Sequence, residues 1–97
     1  MNRAFILDFL TKNKAALREE YGVQKIGLFG SYARGDFTDE SDIDIAVEIE
    51  SSKKTLHTFF ELKREMERAF GKRVDLGIES TLKPIAKEMI DREIIYA

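Results

Sequence analysis

The 97-residue chain has no cysteine and a single proline. Without cysteine there is no disulfide framework, no thiolate nucleophile and no sulfur-ligated zinc. One proline leaves no material for a proline-rich linker, and neither repeats nor low-complexity segments occur. The expectation is one domain spanning residues 1–97. No apolar run is long enough to cross a bilayer, and the first residues lack a signal-peptide layout, so a cytosolic protein with no membrane partner is expected. An excess of charge of one sign is missing too: 16 Lys and Arg face 18 Asp and Glu, for a net charge of -2. That balance argues against direct nucleic-acid binding through phosphates. What is present is enough for one core: 43% hydrophobic residues, with seven phenylalanines.

The order of elements follows from periodicity and from glycine stops. Residues from about Asn2 to Glu20 predict a helix with Ile6, Leu7, Leu10 and Leu17 on its apolar side and Gly22 beyond its end. Val23–Phe29 predicts a strand, Gly30–Gly35 a turn holding at most one helical turn, and Asp42–Ile49 a second strand. Thr55–Phe70 predicts a helix stopped by Gly71, and Arg73–Ile78 a third strand. Ser80 and Thr81 open a last helix, with Pro84 in its first turn and Ile85, Met89, Ile90 and Ile94 as its apolar side. Three strands covered by helices on one side make an α/β fold with a short mixed sheet.

Two segments carry chemistry. Asp42 and Asp44 alternate with Ile43 and Ile45, which puts both carboxylates on one face of a strand. Like charges held side by side repel unless a cation lies between them, so the pair points to a hard divalent metal. The plainer reading is a half-exposed strand with a wet face. Gly30 and Ser31 end the preceding strand in a turn that lets backbone N–H groups approach a phosphate, with the Ser31 hydroxyl and the Arg34 guanidinium at hand. The plainer reading there is an ordinary tight turn with a solvated arginine. A pair of metal ions needs a third carboxylate, and Asp75, inside an apolar strand, is the candidate; alone it could be an edge-strand charge. The three features in this order point to metal-dependent phosphoryl or nucleotidyl transfer.

The set Gly30, Ser31, Ala33, Arg34, Gly35, then Ser41, Asp42 and Asp44, then Asp75, resembles the DNA polymerase beta-like nucleotidyltransferase superfamily. The short length is similar to its minimal nucleotidyltransferases, the antitoxins of HEPN/MNT toxin–antitoxin pairs. The resemblance implies a small polymerase beta-like fold. It implies two Mg2+ ions held by Asp42, Asp44 and Asp75, and a triphosphate bound by Gly30, Ser31 and Arg34. It further implies transfer of AMP from ATP to a tyrosine of a partner HEPN toxin. A binding-only antitoxin that masks its toxin sterically is the first alternative. Nucleotidyl transfer to RNA or to a small molecule such as an aminoglycoside is the second; the acidic balance and the want of a second domain count against it.

Other conspicuous residues have plainer readings. His57 has no second histidine to share a metal and reads as a helix-surface residue, and Phe59, Phe60 and Phe70 read as core. Lys63 to Arg68 read as a solvated helix face with i,i+4 pairs. Gly77 is an unusual strand residue. Tyr32 and the terminal Ile94–Tyr96 stay open between packing and recognition.

Overall fold

A computed structural model describes all 97 residues. Two helices open it, α1 (Arg3–Lys12) and α2 (Lys14–Tyr21), where the periodicity predicts one. The break falls at Asn13, whose backbone leaves helical geometry at φ -101° and ψ 4° and whose side-chain amide donates to the Phe9 carbonyl beside its own N–H. Asn2 caps the start of α1 by accepting from the Phe5 N–H. Gly22 ends α2 in the left-handed region. Then follow β1 (Val23–Phe29), α3 (Gly30–Arg34), β2 (Ile43–Ile49), α4 (Leu56–Phe70), β3 (Val74–Ile78), α5 (Pro84–Glu93) and β4 (Ile95–Tyr96). Thr55 caps α4 through the Thr58 N–H, and Gly71 ends it.

The sheet has four strands in the order β3-β2-β1-β4, not three. The extra strand comes from the C-terminus: α5 stops at Glu93, and Ile95 and Tyr96 pair antiparallel with Leu28 and Gly27. The sequence pattern continues the helix through Ile94, but Ile94 has extended backbone and lies over Gly27 instead. β1 and β2 are antiparallel, while β2 and β3 are parallel, with α4 as the crossover such pairs require.

One face of the sheet carries Ile26, Leu28, Ile43, Ile45, Val47, Ile49, Val74 and Leu76, buried against Ile6, Leu10 and Leu17 of the first two helices and Leu62, Met66 and Phe70 of α4. Phe59 packs at the edge of this core, whereas Phe60 is half in water. His57 is exposed, as its sequence context predicts. The ion pairs of α4 join Arg64 to Glu61 and Arg68 to Glu65 at i,i+3 spacing rather than i,i+4. α5 departs further from expectation. None of its residues is buried, and Ile85 and Met89 are 77% and 65% exposed.

The opposite face is built of rungs. Gly27, Ala46 and Gly77 are neighbours across β1, β2 and β3. Their small size makes room for the C-terminal segment, which lays Ile94 over Gly27 and Leu82 near Gly77. The rung beside it is Phe29, Asp44 and Asp75.

Candidate active site

Asp44 lies near the start of β2 and pairs in register with Asp75 of parallel β3. Registered neighbours on parallel strands point to the same face, so carboxylates 31 positions apart in sequence meet side by side. Burial of Asp44, then the negative charges of Asp75 and Asp42, push its pKa up to about 6; nearby Arg34 offsets part of this. Asp42 stands just before β2, and its carboxylate lies 3.2 Å from the guanidinium of Arg73, the residue just before β3. Thus Asp44 and Asp75 face each other, while Asp42 is close enough to raise Asp44 but turns to an arginine. The three do not form a ready three-ligand cage.

The turn after β1 is shaped by the same aspartate. Gly30 has φ of +73°, and a Cβ there would collide with the Asp44 carboxylate, whose Cγ would lie 2.9 Å away. Only glycine tolerates both the conformation and the contact. The turn becomes the short helix α3, closed by Gly35 in the left-handed region. Tyr32, inside it, packs down: it is buried and stacks on Phe37 with ring centroids 4.2 Å apart. Arg3 ties α1 to α3 through a 2.8 Å hydrogen bond to the Ala33 carbonyl.

Arg34 is exposed and carries two carboxylates, Asp36 at 3.1 Å and Glu93 at 3.0 Å, which hold its pKa above the ordinary arginine value. Glu93 also accepts the Gly30 N–H at 3.0 Å. A cleft of about 420 Å3 opens here, walled by Gly30, Ser31, Arg34 and Asp44 on one side and by Met89 and Glu93 of α5 on the other. A cleft of similar size, about 410 Å3, runs beside β3 between Lys54, Phe59 and Thr81, and none of the carboxylates lines it.

The donors at Asp44 and Asp75 are all oxygen, repel one another and have one face open to solvent. That set fits a hard divalent ion such as Mg2+ and no soft metal. The sequence motifs missed two features. Glu93 reads as one more carboxylate on a polar helix, and nothing in its spacing links it to Gly30, 63 residues earlier. The cluster of Lys25, Glu79 and Tyr96 is equally silent; there the Tyr96 hydroxyl donates to nearly buried Glu79 at 2.7 Å.

Residues 10–97 match the family described as nucleotidyltransferase domain. The chain belongs to that family. This nucleotidyltransferase is 43% identical over 91 residues to protein adenylyltransferase MntA of Thermococcus cleftensis, covering 94% of this chain and 91% of the relative. A structure assigned as a minimal nucleotidyltransferase superposes with a TM-score of 0.78 at 32% identity, covering 98% of this chain and 95% of its own. A toxin–antitoxin structure solved with AMP-PNP gives a TM-score of 0.71 at 26% identity, over 99% of this chain and 72% of that one. The fold also recurs in a complex of tri-AMPylated Shewanella oneidensis HEPN toxin with MNT antitoxin, at 24% identity and a TM-score of 0.62, over 98% of this chain and 67% of that one. The small α/β fold predicted from the motifs is therefore that of the minimal nucleotidyltransferases. The protein is an enzyme of nucleotidyl transfer.

Proposed function

We propose that this nucleotidyltransferase transfers AMP from ATP to a tyrosine hydroxyl of a HEPN toxin in the cytosol and so acts as its antitoxin. The observation that carries the reading is the registered pair Asp44 and Asp75, with Gly30 packed against the first. The adenylyltransferase relative and the toxin–antitoxin neighbours support the choice of nucleotide and of partner class.

In this reading Asp42, Asp44 and Asp75 would hold two Mg2+ ions, with Asp42 turning from Arg73 or using its second carboxylate oxygen. Bound there, the ions supply charge neutralisation at the triphosphate and at the attacking oxygen. The Ser31 hydroxyl and turn N–H groups hydrogen-bond the β- and γ-phosphates, and Arg34 supports them as a fixed cation. Asp75, the more exposed of the facing pair, accepts the proton of the acceptor hydroxyl. The acceptor oxygen bonds to the α-phosphorus as the bond from that phosphorus to the bridging oxygen breaks, and pyrophosphate leaves in line. The protein's own contribution is positioning: the β2–β3 register sets the carboxylates, and Gly30 sets the turn beside them.

Labelled ATP with magnesium, incubated with the chain and the protein encoded by its neighbouring gene, tests the reading. Label on a tyrosine of that partner is expected. Inhibition of the partner without label would favour steric masking, and faster labelling of tRNA or an aminoglycoside would replace the acceptor.

A further inference from the structure

Glu93 occupies donors that the proposed reaction assigns to the nucleotide. Its Oε1 accepts the Gly30 N–H and its Oε2 accepts Arg34 Nη1, each at 3.0 Å. Two oxygens on one centre, bound to one backbone N–H and one guanidinium, is also how non-bridging phosphate oxygens are held. Arg34 is the only cation lining the cleft, whereas Asp44 and Glu93 both line it as carboxylates. A triphosphate entering this cleft meets two negative groups and one positive one. It gains the Gly30 N–H and Arg34 Nη1 only if Glu93 gives way; Asp36 holds a different nitrogen, Nε.

We infer that Glu93 is a built-in competitor of the nucleotide, holding the phosphate turn closed until a triphosphate displaces it. Displacement is easy. The Glu93 side chain is 28% exposed, and it is carried by a helix with no buried residue. The end of that helix stays anchored by the pairing of Ile95 and Tyr96 with β1. A swing of the Glu93 side chain alone therefore frees the Gly30 N–H and Arg34 Nη1, with Asp36 still on Arg34 Nε, without unseating the C-terminal strand. Glu93 thus sets nucleotide affinity without taking part in the reaction.

This inference rests on the nucleotide site proposed above, and equilibrium binding separates the two. Binding of ATP with magnesium, without any acceptor, is measured for the wild-type chain, Glu93→Gln and Glu93→Ala. Fold is checked by the thermal midpoint without nucleotide. A competitor lowers the competent fraction of free protein, so its removal should tighten binding about three- to tenfold. A Kd that falls in either folded variant supports the inference. Measurable wild-type binding that is equal or weaker in both makes Glu93 a brace for the turn and overturns the inference, leaving the proposed function intact. No binding by any of the three chains removes both. A brace can only weaken binding when lost, so the sign of the change decides.

Discussion

Gly30 is glycine because Asp44 fills the place a side chain would take. The residue has φ of +73°, and its missing Cβ would run into the Asp44 carboxylate. The turn and the acidic strand are thus one packed unit, and the motif Gly30–Ser31 is read together with Asp44 by geometry as well as by sequence. Gly30→Ala should lose nucleotidyl transfer and cost about 1–3 kcal/mol of stability, from strain at positive φ and from the collision. Urea unfolding and a transfer assay check it; a variant with wild-type stability would show that the turn relaxes freely.

Asp44 should make the metal-free protein less stable as pH rises. Its folded pKa of about 6 lies above the ordinary 3.8, so the folded state binds the proton more tightly than the unfolded state. The associated stability is full below about 4 and is lost as pH climbs through about 6. Asp44→Asn removes that loss. In chelator its thermal midpoint, relative to wild type, should rise between pH 4 and pH 7, by the equivalent of on the order of 1 kcal/mol once solvent screening of this partly exposed group is allowed for. Transfer should be abolished. A midpoint that drops in the variant across the range would mark Asp44 as a structural hydrogen-bonding residue.

Gly27 and Gly77 occupy the same rung but should respond differently. A Cβ on Gly27 meets Ile94 Cγ1 at 2.7 Å and Tyr96 Cδ1 at 3.0 Å, while one on Gly77 meets only Leu82 Cδ2 at 3.7 Å. Gly27→Ala should push the C-terminal segment away and cost about 1–2 kcal/mol. Gly77→Ala should be neutral or slightly stabilising, because it restricts the unfolded chain without a clash. Denaturant midpoints of the two variants measured side by side test the difference, and equal losses would contradict it.

Tyr96 holds the C-terminal strand through a carboxylate that has few other partners. Its hydroxyl donates to Glu79 Oε1 at 2.7 Å. Glu79 Oε2 is buried without a hydrogen bond, and Lys25 stands 3.7 Å from Oε1. Tyr96→Phe withdraws the one short hydrogen bond and should cost about 1–3 kcal/mol. Faster hydrogen exchange at the Ala97 amide, which bonds the Ile26 carbonyl, should accompany the loss. Unchanged exchange there would mean the strand is held by its backbone pairing alone.

Local chemistry was legible from the chain itself. Alternation along Asp42–Ile49 set the two faces of β2, Gly22 and Gly71 marked helix ends, and the Gly30–Gly35 and Ser41–Asp44 motifs marked the candidate site, because each depends on neighbours a few positions away. The break at Asn13 was hidden because the apolar period runs through it, and the local turn of the Asn13 backbone leaves no trace in that period. Three features needed the tertiary structure. The β2–β3 register places Asp75 opposite Asp44. The C-terminus becomes a fourth strand because Gly27 leaves space for Ile94. Glu93 reaches Gly30 and Arg34 from the far end of the chain. Each joins segments distant in sequence, and such contacts are decided by which surfaces fit once the sheet has formed, a choice that residue spacing does not encode.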